Sequence, residues 1–408
     1  MTDYKEIRHN LHEHPQTAGC EEYAHDTIVK HLQGLHPSKV YTHVGGYGVI
    51  AVWEAKENSS PKLGEVPEGR RSVPTIAFRA DTDALPIGHR CGHDGHTTIL
   101  LRLAELIDGL TPSPLQKRGD ADASLSGQIP SPLERSRGEA NILLLWQPAE
   151  ETGTGSRAVL ESGILQQYNI KAFYALHNLP GYPLGTVVLC PRTFAAASTG
   201  VVYHLDGRET HASTPEMGVN PGLAVAEIIN RFNRFNGTNG QSGKFRQSTL
   251  IYVHIGSPAF GTSAGHGEVM FTLRAFSNDE MEKLLAEANQ AVDEIASRYG
   301  LAVSRSLVEP FRATENNLDC VERVKKTVEE LNASANSQFS ILNSQYKEEP
   351  NRWSEDFAEY LLEFPGAMFG IGSGEHHPEL HHPSYDFPDD IIEPAARLFL
   401  QLALNFCK

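Results

Sequence analysis

The sequence predicts an α/β protein built on an open sheet, with a second, smaller α/β unit in the middle of the chain, and three observations predict it. Short apolar runs recur as strands at 48–55, 75–78, 141–146, 172–176 and 366–371. Segments with apolar residues at helical spacing separate them. Several runs lead straight into aspartate, glutamate or histidine, and open α/β sheets place ligands beyond the carboxyl ends of their strands.

Residues 4–35 show helical spacing through Leu11, Ile28 and Leu32, interrupted at Pro15. His9, His12 and His14 beside that break read as capping or lining a helix end rather than as metal ligands. The strand at 75–78 runs into Asp81 and Asp83, which suit turn positions as well as ligand positions. The run Cys91, Gly92, His93, Asp94, Gly95, His96 then packs four possible metal donors into six residues. A thiolate and an imidazole two residues apart converge easily on one ion, and sulfur with nitrogen suits zinc-like metals. The same run also reads as a plain helix start, with Asp94 as cap and the glycines as turn residues. Ile99, Leu100, Leu103, Leu106, Ile107 and Leu110 follow at helical spacing, so the run opens an amphipathic helix packed on the sheet. Residues 56–73 and 111–139 read as long surface loops.

The run at 141–146 is continuously apolar, as in a strand buried on both faces. It enters Glu150 and Glu151, of which one can hold a metal while its neighbour carries protons, the division that metal-assisted hydrolysis needs. The strand at 172–176 ends at His177 and Asn178, and that at 366–371 is followed by His376, His377, His381 and His382. Convergence of such groups at one sheet edge is hard to explain as solvated surface. In the middle of the chain, strands at 201–205, 250–255, 269–276 and 301–308 combine with helices at 221–235 and 279–299, the latter opened by a Ser277, Asn278, Asp279 capping cluster. This alternation suggests a sandwich of one helical layer on one sheet.

A chain of 408 residues suggests two or three domains at roughly 150 residues each. With 51 acidic against 35 basic residues, a net charge of −16 and no basic block, it is a poor partner for nucleic acid or an anionic membrane. Cys20, Cys91, Cys190, Cys320 and Cys407 form no CxxC pair and no disulfide framework, which fits a reducing compartment. The first residues hold no apolar leader core and no run is long enough to span a bilayer, so a soluble cytoplasmic protein is expected.

The ordered motifs RHNLHEHP at 8–15, RADTDALP at 79–86, CGHDGH at 91–96, QPAEETG at 147–153, LHN at 176–178, SEDF at 354–357 and LHHPSYDFPDD at 380–390 cover nearly the whole chain. Together they resemble the M20 metallopeptidases and amidohydrolases, in the branch that holds hippurate hydrolases, N-acyl-amino-acid amidohydrolases and plant auxin-conjugate hydrolases. The resemblance implies a phosphorylase/hydrolase-like catalytic domain, a mixed sheet flanked by helices, over 1–194 and 308–408. A smaller inserted α/β sandwich, a lid and dimerisation domain, would span 195–307. It implies two divalent ions, zinc, manganese, nickel or cobalt, held by Cys91, His93, Glu151, His177 and His381. Glu150 takes the general acid/base position, Asp83 matches the supporting aspartate, and Asp81 stands where other branches have a ligand histidine. His211, in GRETHAS at 207–213, falls near the substrate carbonyl, with Asn178 as a further contact and Arg274 for the substrate carboxylate. The implied reaction is hydrolysis of an N-acyl or aryl-acyl amino acid, with peptide cleavage by a carboxypeptidase or dipeptidase as the near alternative and a non-catalytic scaffold as the distant one. The implied partners are the small-molecule substrate, N-acyl amino acid or dipeptide, and a second copy of the chain. Three departures stand out: a short link from Asp83 to Cys91, Gly261 where relatives carry an asparagine, and the extra loop at 111–139.

Overall fold

A computed structural model describes residues 2–55, 73–110, 140–238, 245–333 and 343–407. The expected loop at 111–139, and all but the end of that at 56–73, lie outside the described residues. Two compact units divide the chain: 1–192, 316–347 and 359–408 form the larger, 193–315 and 348–358 the smaller.

The larger unit opens with helices α1 (Tyr4–Glu13) and α2 (Glu22–Leu32). Asp3 caps α1 by accepting from the backbone N–H groups of Lys5 and Glu6. Strands β1 (Lys39–Val44), β2 (Gly48–Trp53) and β3 (Pro74–Asp81) follow, then helix α3 (His93–Asp108). Next come β4 (Asn141–Gln147), the short α4 (Gly155–Glu161), β5 (Asn169–Pro180) and β6 (Val187–Leu189).

The smaller unit supplies β7 (Ala197–Asp206), β8 (Thr210–His211), α5 (Gly222–Asn233), β9 (Gly237–Thr238), β10 (Phe245–Ile255), β11 (Thr262–Ser263), β12 (His266–Ala275), α6 (Asn278–Tyr299) and β13 (Ala302–Phe311). The chain then returns with α7 (Leu318–Ala333), β14 (Ser344–Tyr346), α8 (Ala358–Glu363), β15 (Gly366–Gly374) and α9 (Ile392–Phe406).

The eight-stranded sheet of the larger unit runs β1-β2-β4-β3-β5-β15-β6-β14. Its centre, β4, β3, β5 and β15, is parallel, with antiparallel pairs beyond it on both sides. This is the mixed sheet flanked by helices that the sequence predicts. Ile76, Phe78, Leu144 and Tyr174 pack on one face with Leu100 and Leu103 of α3, Val324 of α7 and Phe399 of α9. On the other, Phe173 packs against Tyr360 of α8, ring centroids 5.0 Å apart. Burial on both faces explains why these strands read as unbroken apolar runs.

Two strand limits differ from expectation. β3 continues to Asp81 and β5 to Pro180, so His177 and Asn178 lie inside a strand rather than past its end. The pairing of Gly370 with His177 and Ile371 with Asn178 holds both in the ladder, an interaction no local pattern announces.

In the smaller unit the sheet order is β13-β7-β12-β10-β9. Every second residue of β12 is buried, and Phe271 and Leu273 meet Ile228 and Phe232 of α5 and Leu284 and Val292 of α6. Helices therefore cover one face, the expected sandwich. Ser277 caps α6 by accepting from the Glu280 N–H, and Gly300 ends it in the left-handed conformation.

Candidate active site

Four neighbouring parallel strands of the larger unit end at one edge, and each brings a chemical group there. β3 ends at Asp81, with Asp83 two residues on; β4 leads to Glu150 and Glu151; β5 carries His177 and Asn178; the chain beyond β15 brings His381 and Tyr385. Helix α3 enters from the side with His93 and His96. Its cap is Gly92, at φ +95°, with no side-chain cap bond, so Asp94 is not the cap that a plain helix start would make it. A Cβ on Gly92 would come within 2.5 Å of the Asn178 amide oxygen, so the turn needs glycine for its backbone angle and for room. Asp94 instead sits in the first turn of α3 and holds α1, accepting from His12 Nδ1 at 2.8 Å and Arg8 at 3.3 Å. His12 thus helps anchor the end of α1.

Two clusters of donors result, and His93 belongs to both. The ligand atoms of Cys91, His93 and Glu151 lie within 4.8 Å of one another, and so do those of His93, His96 and His177. His381 Nε2 stands 4.0 Å from Glu151 Oε1, and its backbone, at φ +66°, is tied to the Arg90 carbonyl. Glu150 Oε2 lies 4.0 Å from His93 Nε2. Of the expected metal ligands, Cys91, His93, Glu151, His177 and His381 all fall in this one region.

Carboxylates hold the frame. Both oxygens of Asp83 accept backbone N–H groups, from Glu150 and from Glu151, each at 3.0 Å. The preceding N–H, of Ala149, donates to Glu21 Oε1 at 2.9 Å, and Ala149 has φ +54°. Three successive N–H groups thus point at two buried carboxylates, which aims the Glu150 and Glu151 side chains. Asp81 accepts from Arg79 at 2.6 Å and meets His96 Nδ1 at 2.5 Å. Burial would raise its carboxyl, but His93, Arg79 and His96 outweigh that and hold it well below the usual range.

Asn178, expected at the substrate, is fully buried, its amide between His96 Nε2 at 2.6 Å and the Tyr385 hydroxyl. In the smaller unit, His211 is exposed and its Nδ1 meets Ser213 Oγ at 2.6 Å. Arg274 donates to the Arg352 carbonyl at 2.8 Å and to Ser354 Oγ at 3.1 Å, and Gly261 has open space around its Cβ direction. Sequence reasoning passed over Glu21, Tyr385 and the placing of His96. The last was visible as a donor in CGHDGH, and Tyr385 stands within the motif at 380–390, whereas Glu21 carries no local signal.

The donor set suits divalent metal. Thiol, imidazoles and carboxylates from separate elements are buried together, a combination costly to leave without a cation. Burial pushes the Cys91 thiol up to about 12 despite His93 beside it, and His177 is driven well below the ordinary histidine range by burial and by His96. Neutral imidazole is the form that binds a metal.

The family match and the named relatives make this chain a hydrolase that acts on amide bonds. The chain belongs to peptidase family M20/M25/M40, whose model matches residues 133–405. It is similar to N-acetylcysteine deacetylase of Bacillus subtilis, 24% identical over 98% of this chain and 95% of that protein. It is also similar to hippurate hydrolase of Campylobacter jejuni, 25% identical over 100% of this chain and 97% of that one. Among solved structures it resembles the YXEP protein of Bacillus subtilis, described as a dinuclear metal binding peptidase of the M20 family. That likeness has a TM-score of 0.75 at 21% identity and covers 99% of this chain and 97% of the other. Among the described residues no helix is long and apolar enough to cross a membrane.

Proposed function

We propose that the protein hydrolyses the amide bond of N-acyl amino acids and releases the free amino acid. The observation that carries this reading is the pair of donor clusters sharing His93, buried except for the half-buried Glu151, with Glu150 4.0 Å from that ring. The names of the relatives, deacetylase and hippurate hydrolase, support the acyl amino acid as substrate class.

In this reading Cys91, His93, Glu151, His177 and His381 would hold two divalent ions, zinc, manganese, nickel or cobalt, all of which this mixed donor set accepts. Bound there, the ions supply Lewis acidity that polarises a carbonyl and acidifies water. Glu150 accepts a proton from the attacking water and returns it to the leaving amine. Asp83 keeps Glu150 aimed through the backbone. His211 stabilises charge on the carbonyl oxygen, and Arg274 receives the substrate carboxylate with a planar guanidinium. Asn178 contributes by fixing His96 and the wall of the site beside the substrate.

A homodimer joined through the smaller unit accompanies this reading. Leu250, Ile251, Tyr252, Val253 and Ile255 of β10 are exposed, and among the described residues only Phe245 and Arg246 of that strand pair with β9. An open apolar edge of this kind is a pairing surface.

The test is amino-acid release from N-acetyl and N-benzoyl amino acids and from dipeptides, with and without added zinc or manganese. Metal-dependent release from the acylated compounds is the expected result. Release from dipeptides alone would move the assignment to a peptidase, and metal-independent release would refute the centre.

A further inference from the structure

The sheet of the smaller unit carries a second set of metal donors that amide hydrolysis does not use. Along adjacent strands β7, β12 and β10, Glu268 pairs with His204 on one side and His254 on the other, while His266 pairs with Asp206. Cross-strand partners share a face, and so do residues two apart on a strand. All five therefore stand on one face. The alternate residues Leu205 and Val269 are fully buried in the core against α5 and α6, so the five donors occupy the face without helices.

Side-chain geometry draws three of them together. The ligand atoms of His204, His266 and Glu268 lie within 4.8 Å of one another. The two rings stack with centroids 5.9 Å apart and an interplanar angle of 23°, and His204 Nδ1 is 3.8 Å from Glu268 Oε2. Asp206 Oδ1 sits 2.6 Å from His266 Nδ1. A carboxylate on one imidazole nitrogen orients the ring and leaves the other nitrogen's lone pair for an ion, the usual support of a metal-binding histidine. Zinc holds nitrogen and oxygen at about 2.0–2.2 Å, so a modest change of side-chain torsions closes the set around one ion. The neighbouring strands keep the backbone fixed while this happens.

We propose that His204, His266 and Glu268 bind one transition-metal ion, zinc in the first place, on the open face of this sheet, with Asp206 orienting His266 and His254 available from β10. The ion staples β7 to β12. It is a nitrogen and oxygen site without sulfur, chemically distinct from the Cys91 cluster.

The full-length protein is equilibrated with zinc chloride, dialysed and assayed for zinc per chain by elemental analysis. Three forms are compared: the wild type, His204→Ala with His266→Ala, and Cys91→Ala with His93→Ala. The first pair of substitutions should remove one zinc per chain, and the second should leave that zinc bound. Added zinc should raise the melting temperature of the Cys91/His93 variant, and this shift should shrink when His204→Ala and His266→Ala are introduced into it. Equal zinc content in the wild type and the His204/His266 variant overturns the proposal, as does a zinc-dependent melting shift of the Cys91/His93 variant that is unchanged by His204→Ala with His266→Ala. Loss of all zinc from the Cys91/His93 variant overturns it as well. None of these readings requires a substrate.

Discussion

Cys91 is 1% exposed, and its thiol stays protonated at neutral pH unless a cation replaces the proton. Cys91→Ala should therefore lose bound metal together with turnover, and full occupancy by elemental analysis would refute its assignment. Glu150→Gln separates the two properties: metal content stays near normal while turnover falls by about 10²–10⁴, the usual contribution of a general base. Glu21 shows how a residue remote in sequence reaches the same chemistry. Its carboxylate is fully buried and accepts the Ala149 N–H, so Glu21→Ala leaves that group without its partner, a cost of about 1–3 kcal/mol. The expected result is a lower kcat with a smaller change in KM, and recovery in Glu21→Gln, whose amide oxygen can still accept.

Helix α3 is the element on which the site turns. It presents His93 and His96 from its first turn because its start is pinned by Gly92 and by Asp94, which holds Arg8 and His12 of α1. Its inner face packs closely at Gly95, where a Cβ would lie 2.3 Å from the ring of Phe387. Alanine gains about 1 kcal/mol over glycine within a helix, but overpacking a filled core costs about 1–3 kcal/mol. Packing wins at this depth, since Phe387 is 2% exposed and its ring meets that of His96 edge-on at 6.1 Å. Gly95→Ala should lower the denaturation midpoint and disturb the metal site; a midpoint equal to or above that of the wild type would show that Phe387 yields freely.

At the scale of the molecule, Asp81, Asp83, Glu150 and Glu151 crowd one sheet edge, on a chain whose net charge is already −16. Cations held in the native state stabilise it by linkage, about 2.7 kcal/mol for a ligand at a hundredfold its Kd. Chelation should therefore lower the melting temperature and abolish activity, and both should return on adding zinc or manganese. A melting curve indifferent to chelator would contradict the centre. The Cys91→Ala variant should respond less to chelator than the wild type, which ties the effect to this site.

The order of motifs along the chain marked the candidate groups in advance, because Asp83, Cys91, His93, Glu150, Glu151 and His177 each follow or flank a recognisable apolar strand, while their proposed roles came from the family resemblance. The strands themselves were legible for the same reason: burial on both faces leaves continuous apolar runs such as that in β4. The sandwich of the smaller unit was legible from its alternation of strand and helix segments, the second helix being marked by the Ser277 cap. Partnership across long stretches of chain was decided only by tertiary structure. No local pattern joins Glu21 to Ala149, Tyr385 to Asn178 or His204 to His266, since each pair meets through loop closure or strand register. The same physics extended β5 past His177, where ladder bonds to β15 outweighed local signals. Residue chemistry is written in the sequence, whereas distances between residues far apart in the chain arise only when the sheets are assembled.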